Sequence, residues 1–151
     1  MSLHFYAYAR KGYEFIDEVA RELKSNDVDK AGRMFRCVLR AMRNKLTTEA
    51  SFGFLAQLPM AIKGIYVDGW KNPVKNASAN HSSGDIISEV LREDDQSAWR
   101  DFSNETEVRD AVIAVYKVLS KHIVITEYEN ILSLLPSDMH YLLEVEANMK
   151  P

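Results

Sequence analysis

The strongest constraint on the fold is an internal similarity between the two halves of the chain. At a shift of 77 positions, apolar residues coincide with apolar residues and one Leu-Pro dipeptide coincides with another. The matches are Phe35 with Val112, Val38 with Val115, Met42 with Leu119, Leu46 with Ile123, and Leu58-Pro59 with Leu135-Pro136. Repetition of whole blocks at one offset is typical of a duplicated structural unit. The segment 15–19 matches 86–90 at a shift of 71, which predicts an insertion near Glu93–Ser103 in the second copy.

Both copies have the apolar spacing of amphipathic helices. The clearest stripe consists of Ala31, Met34, Phe35, Val38, Met42 and Leu46. The second copy repeats it with Val108, Ala111, Val112, Val115, Leu119 and Ile123. This spacing places each set on one face of a helix, which then buries that face. The predicted N-caps are Asn104 and Thr126, each with a glutamate three residues later, and either Asn26 or Asp27.

These signals predict four helices in each copy. In the first copy they lie near Gly12–Lys24, Asp27–Lys45, Thr48–Leu58 and Pro59–Asp68; in the second, near Gly84–Glu93, Asn104–His122, Thr126–Leu134 and Pro136–Glu146. A proline is tolerated in the first turn of a helix, so each Leu-Pro marks a junction between helices. The predicted fold is an all-α bundle of two diverged four-helix units with a pseudo-two-fold relation. Residues 1–151 form one domain, with repeats at 12–68 and 84–147 and a connecting loop at 69–83.

The composition is that of a globular protein, with 46% hydrophobic and 27% charged residues. A net charge of −3 gives no general attraction to nucleic acid, but the two halves differ. Residues 1–75 hold 13 Lys and Arg against 8 Asp and Glu, a balance of +5, whereas residues 76–151 hold 6 against 14, a balance of −8. A single cysteine excludes an intramolecular disulfide, and no apolar run approaches the ~20 residues that span a bilayer. We therefore expect a cytoplasmic protein that does not enter the membrane.

Five segments carry a resemblance to a known family. They are Lys11-Gly12-Tyr13-Glu14-Phe15, Lys30-Ala31-Gly32-Arg33, Val38-Leu39-Arg40-Ala41-Met42-Arg43, Ala56-Gln57-Leu58-Pro59-Met60 and Tyr66-Val67-Asp68-Gly69-Trp70. With these segments the chain resembles the bacterial domain of unknown function 2267, an uncharacterised family of duplicated helical proteins. The resemblance covers nearly the whole chain and is stronger in the first copy. It implies a helical fold, and it brings no assigned activity and no catalytic residues.

Known catalytic and metal-binding motifs are absent from the sequence. The four histidines, His4, His81, His122 and His140, have no zinc-site spacing. The six glycines form neither a dinucleotide-binding nor a phosphate-binding loop. The carboxylates Glu93, Asp94, Asp95 and Asp101 lack the spacing of a calcium loop, and we interpret them as a solvated polar insertion. The sequence thus predicts no catalytic residue, no metal site and no cofactor.

The most distinctive polar feature is a row of four arginines in the first copy, Arg33, Arg36, Arg40 and Arg43. Their spacing aligns the guanidiniums along one face of a helix. Such a row could bind phosphates, another anionic ligand or an acidic protein surface. The second copy has Asp110, Ile113, Lys117 and Ser120 at these positions, so the repeated fold does not require the row. The alternative is that the row has no binding function and is simply a solvent-exposed helix face, because arginine is a good helix former.

Three further features leave alternatives open. Cys37 has arginines as neighbours that could activate a thiolate, but a free cysteine is more often a small buried apolar residue. Trp70, next to a basic loop, could be an interface anchor or a lid on the core. The early aromatic residues, among them Phe5, Tyr6 and Tyr13, could pack onto the bundle or onto another chain.

These observations favour a non-catalytic module that binds a protein partner or itself. Opposite charge on the two halves could drive head-to-tail association that weakens with salt. One alternative is that the arginine row binds an anion or, less in keeping with the overall acidity, nucleic acid. Another is an enzyme with an unrecognised pocket between the repeats.

Overall fold

The computed structural model describes residues 3–71 and 85–149, with side chains up to residue 143. Over these ranges the chain is all-helical, with eight α-helices and no strand. They are α1 (Phe5–Glu22), α2 (Val28–Lys45), α3 (Thr48–Leu55), α4 (Met60–Val67), α5 (Ile86–Asp95), α6 (Glu105–Ser120), α7 (Ile125–Leu132) and α8 (Ser137–Met149). Most of the predicted connecting loop, residues 72–83, and the predicted helix start at Gly84 lie outside the described residues. None of these eight helices is long and apolar enough to cross a membrane.

Helix α2 lies at the centre of the bundle. It packs against α1, α4, α5 and α6. Its buried residues are Ala31, Met34, Phe35, Cys37, Val38, Leu39, Ala41, Met42 and Arg43. Fully burying a Val, Leu, Phe or Met side chain contributes about 1.5–3 kcal/mol, so this one helix supplies a large share of the hydrophobic stabilisation.

Helix α6 is the second long helix of the core and packs against α2. It also contacts α1, α5, α7 and α8. Its buried residues are Val108, Ala111, Val112, Ala114, Val115, Tyr116, Val118 and Leu119. Every member of the two apolar stripes predicted from the sequence is buried, which confirms both helix faces.

The helix caps confirm two predictions and contradict a third. The Asp27 side chain accepts a hydrogen bond from the Lys30 amide at 3.0 Å, and Asn104 accepts one from Glu107 at 2.9 Å. The prediction that Thr126 caps α7 is wrong, because α7 begins one residue before it and has no side-chain cap. The amide of the residue at the N-cap, Val124, instead donates to the Gln57 side chain at 3.3 Å.

Helix α1 begins about two turns before the predicted start at Gly12. The added turns contain Phe5 and Tyr6, whose side chains are exposed. They are part of the helix but not of the core, and therefore they leave no apolar periodicity in the sequence.

The connection between α5 and α6 is folded around a buried carboxylate. Asp94, 2% exposed, accepts hydrogen bonds from the backbone amides of Asp101 at 2.8 Å and Phe102 at 3.0 Å. The Phe102 side chain is buried in the core. Our interpretation of this carboxylate-rich segment as solvated is therefore wrong for Asp94, which replaces water as the acceptor for two backbone amides. It is also wrong for Asp101, whose side chain is 6% exposed and paired with Arg33.

Helices α1 and α4 approach closely at Gly12. A Cβ atom on Gly12 would lie 2.7 Å from the Cβ atom of Ala61, closer than real Cβ contacts. Because the Ala61 Cβ is fixed to its backbone, the two helices would have to separate. Gly64, on the exposed side of α4, has no heavy atom within 4 Å of the same added Cβ.

We expect Gly12→Ala to lower the free energy of unfolding by about 1–2 kcal/mol, because overpacking outweighs the gain in helix propensity. Gly64→Ala should raise it by about 0.5–1 kcal/mol, since alanine costs less conformational entropy than glycine in a helix. Urea denaturation of both variants measures the difference. Equal effects of the two substitutions would contradict the close α1–α4 contact.

Candidate functional site

The structure divides the predicted arginine row into residues with different roles. Arg33 donates from Nε and Nη2 to the two carboxylate oxygens of Asp101, at 2.9 and 3.0 Å. This bidentate ion pair ties α2 to the connection between α5 and α6. The Arg33 guanidinium also lies 4.2 Å from the centroid of the Trp99 ring, a cation–π contact. The hydrogen bond to Asp101 raises the pKa of Arg33, which therefore stays charged.

Arg43 has a structural role. It is 7% exposed, and its Nη1 donates to the backbone carbonyls of Tyr66 at 3.2 Å and Asp68 at 3.0 Å. These carbonyls belong to the last turn of α4, where backbone acceptors lack partners within the helix. Burial lowers the pKa of Arg43, but the site retains acceptors for the charged form.

Arg36 and Arg40 border a polar cleft of about 450 Å³, which we call the arginine cleft. Its lining includes Arg36, Arg40, Asp68, Glu93, Gln96 and Trp99. The Nη2 atom of Arg40 lies 3.2 Å from the Asp68 carboxylate, which is 80% exposed. The Nε atom of Arg40 is buried and has no hydrogen-bond partner among the described residues. Arg36 forms no hydrogen bond or ion pair with the residues that the structure describes.

Cys37 borders the arginine cleft but is 5% exposed. Burial raises the pKa of its thiol to about 12, and the carboxylates of Asp94 and Glu93 act in the same direction. Arg36 acts in the opposite direction but does not offset them. The thiol is therefore protonated at neutral pH, which favours the interpretation as a buried apolar residue over that as a nucleophile.

Trp70 lies against two aromatic residues, Tyr66 and Phe52. Its ring centroid is 5.6 Å from that of Tyr66, edge to face, and 6.3 Å from that of Phe52. It is partly buried and packs against the core. This placement is that of a lid on the core; whether Trp70 also serves as an interface residue stays a prediction.

Helix α1 has several exposed aromatic side chains. We define the α1 face as Tyr6, Arg10 and Tyr13, whose spacing of four and three residues aligns them on one side of the helix. Tyr6 is 93% exposed and Tyr13 is 72% exposed. The early aromatic residues thus do not all pack onto the bundle, which was one of the two possibilities left open by the sequence.

An apolar groove of about 230 Å³ runs beside Tyr13 between α1 and α4. Its walls come from Gly12, Tyr13, Ile16, Ala61, Ile62 and Ile65. A second hollow of about 270 Å³ shares Tyr13, Ile16 and Ile65 and extends to Val28 on α2. The small residues that allow α1 and α4 to approach also leave this space open.

Helix α8 has an exposed face of different charge. We define the α8 face as Asp138, Tyr141 and Leu142, which share one side of the helix by their spacing. Tyr141 is 66% exposed and Leu142 is 52% exposed. Asp138 also lies at the surface, where it forms an ion pair with Arg109 at 3.1 Å.

Comparison with known proteins identifies the family. The model of the family described as "Uncharacterized conserved protein (DUF2267)" matches residues 12–142, well over half of the chain. The chain belongs to this family, which confirms the resemblance seen in the sequence. No curated protein matches it.

Substitution of Arg43 tests the structural role assigned to it. We expect Arg43→Met to lower the free energy of unfolding by about 2–3 kcal/mol, because it leaves two carbonyls of α4 without a donor. Arg36→Met, a matched change on the same helix, should stay within about 0.5 kcal/mol of wild type. Urea denaturation measures both. A comparable loss in the two variants would contradict the division of the row.

The pH dependence of stability tests the burial of Cys37. Its pKa is raised from 9.0 to about 12 in the folded chain, so its contribution to stability is complete below pH 9 and is lost as the pH rises toward 12. Between these values the loss approaches about 1.4 kcal/mol per pH unit. Tyr66, with its pKa raised to about 12, adds to the loss above pH 10.

Denaturation of wild type and Cys37→Ala from pH 8 to 10 should therefore give a steeper decline for wild type. At pH 8 the native thiol should resist a thiol reagent that modifies the unfolded chain. Rapid modification of the native protein would show that Cys37 is accessible.

Proposed function

We propose that this member of the DUF2267 family is a non-catalytic binding module that associates with further copies of itself. In the proposed assembly, the α1 face of one copy binds the α8 face of the next. The observation that carries this proposal is the exposure of Tyr6 and Tyr13 on one side of α1, with Tyr13 also lining an apolar groove. Tyrosine and arginine, the residue types of the α1 face, are enriched among the residues that dominate binding energy at protein interfaces.

Charge supports a contact between unlike surfaces. The α1 face includes Arg10, and Lys11 is exposed beside it. Neither cation forms an ion pair with a described residue. Helix α1 also exposes Glu14 and Asp17 within two turns of these cations, so the positive charge of the α1 face is local to Arg10 and Lys11. The α8 face instead offers the Asp138 carboxylate and belongs to the half of the chain whose balance is −8.

Apolar complementarity supports the same pairing. The α8 face exposes Tyr141 and Leu142, and the groove beside Tyr13, of about 230 Å³, has room for one such side chain. Withdrawing these side chains from water contributes favourable free energy in proportion to the apolar area that they bury. The ion pair of Asp138 with Arg109 is exposed, so exchanging partners costs little.

A contact between two different faces has a consequence for assembly size. Such a heterologous contact generates a ring when the rotation between copies closes, and an open filament when it does not. We therefore expect assemblies larger than a dimer, whose size depends on the protein concentration.

We also propose that the chain is a duplication of a four-helix unit, over 12–68 and 84–147, with a pseudo-two-fold relation. The helix contacts support it: α1 packs on α2 and α6, as α5 packs on α6 and α2. Likewise α4 packs on α2, and α8 on α6, while α3 packs on α7. Exchange of the two sets of helices leaves this pattern unchanged. Over the described residues, two contacts lack a counterpart of similar extent: that of α1 with α4, for α5 and α8, and that of α6 with α7, for α2 and α3.

Charge reversal tests the proposed contact. Sedimentation velocity at increasing protein concentration should show association at low salt that weakens near 1 M salt, where the Debye length falls to about 3 Å. Arg10→Glu and Asp138→Lys should each reduce association, and the two together should restore it, because the charges across the contact are complementary again.

Asp95→Lys is the matched control, since Asp95 is exposed on α5, outside both faces. Circular dichroism should show that each variant keeps its helices. A monomer at every salt and protein concentration would refute self-association. A loss in Asp95→Lys equal to that in Asp138→Lys would refute the assignment of the α8 face.

A further inference from the structure

We propose that Arg36 and Arg40 form a binding site for a small molecule carrying a phosphate or carboxylate group, in the arginine cleft between α2 and the connection that follows α5. Neither residue belongs to the α1 face or the α8 face. Arg36 also borders the second hollow beside Tyr13, whereas Arg40 does not, so the effect of Arg40→Gln on anion binding tests this inference separately from self-association.

Arg40, unlike Arg33, has a guanidinium edge whose donors are only partly paired. In Arg33, Nε and Nη2 donate to both oxygens of one carboxylate, so this edge of the guanidinium is fully paired. In Arg40 the same edge has only one bond, from Nη2 to Asp68, and Nε is buried without an acceptor in the described part of the chain. A buried donor without an acceptor costs free energy, which an incoming oxyanion would recover.

The carboxylates near the cleft do not satisfy these donors. Asp68 is 80% exposed and reaches only Nη2 of Arg40, so its bond is of the weak, solvent-screened kind. Glu93 accepts a hydrogen bond from the Asn44 side chain at 2.8 Å. An oxyanion that accepts from both Nε and Nη2 of Arg40 would take the place of the Asp68 carboxylate at Nη2. Asp68 therefore competes with the ligand for Arg40.

Arg36 supplies the second cation of the site. It lines the cleft beside Arg40 and has no pairing partner in the described ranges. Two guanidiniums at one cleft can bind an oxyanion through several charge-assisted hydrogen bonds. A lysine ammonium, which acts as a point charge, would not give hydrogen bonds with this directional geometry.

The remaining walls indicate a ligand larger than a free ion. The cleft volume of about 450 Å³ lies within the range of small-molecule sites. Trp99, 65% exposed, borders it with an aromatic ring that is held by Arg33. Gln96 and Ser97 add polar groups. The class of ligand is thus a small anion with an apolar or planar portion.

Titration of the full chain with inorganic phosphate and, separately, with acetate tests the site. In nitrogen-15 NMR spectra, we expect saturable shifts of the Arg40 Nε–H and Trp99 indole N–H signals, with a dissociation constant in the millimolar range or tighter. A response to phosphate alone, or to acetate alone, identifies the anionic group of the ligand. Absence of saturable shifts with both probes would overturn the proposal.

Substitutions separate the site from general charge effects. Arg36→Gln and Arg40→Gln should each weaken binding about tenfold or more, because each removes a charged donor. Asp68→Asn should strengthen binding several-fold by removing the competing carboxylate. Arg21→Gln, which removes an exposed cation of α1 outside the α1 face, should leave the affinity unchanged. Equal weakening by Arg21→Gln and Arg36→Gln, or no gain in Asp68→Asn, would overturn the assignment.

Discussion

Burial of α2 is the constraint on which the rest of the structure depends. This helix contacts four others, and half of its residues are withdrawn from water. A helix so enclosed has only a narrow strip on which long charged side chains can reach solvent. The arginines of α2 occupy the edges of that strip, where other segments meet the helix. Their charges must therefore be paired by those segments, as Arg33 is by Asp101, or be hydrated in the space between them.

The sequence predicted the helices well because they are determined locally. The apolar stripes of α2 and α6 and the caps at Asp27 and Asn104 depend on residues within one or two turns. The start of α1 and the N-cap of α7 could not be predicted from such local patterns. Phe5 is helical without contributing to the core, and the Val124 amide is paired by Gln57, far away in sequence. Neither relation leaves a periodic signal.

The candidate sites were predictable only in part, for the same reason. The spacing of the arginines fixed their common side of α2, but not which groups would face them. Arg43 became a buried donor to the end of α4, while Arg33 was paired by a residue of the second half of the chain. The aromatic residues of α1 could be seen in the sequence, but their exposure depends on the placement of α4 and the groove that it forms with Gly12.

The arginine cleft exists because the two halves of the chain differ. Its outer wall is the segment after α5, which includes the residues that have no counterpart at the shifts of 71 and 77 positions. Asp94 folds that segment by accepting two backbone amides, and this places Asp101 on Arg33 and Trp99 at the cleft. The facing wall, α2, has Arg36 and Arg40 where the other half has Ile113 and Lys117. Common features of the halves thus explain the core, and their differences create the arginine cleft, where the fold leaves the guanidinium of Arg40 incompletely paired.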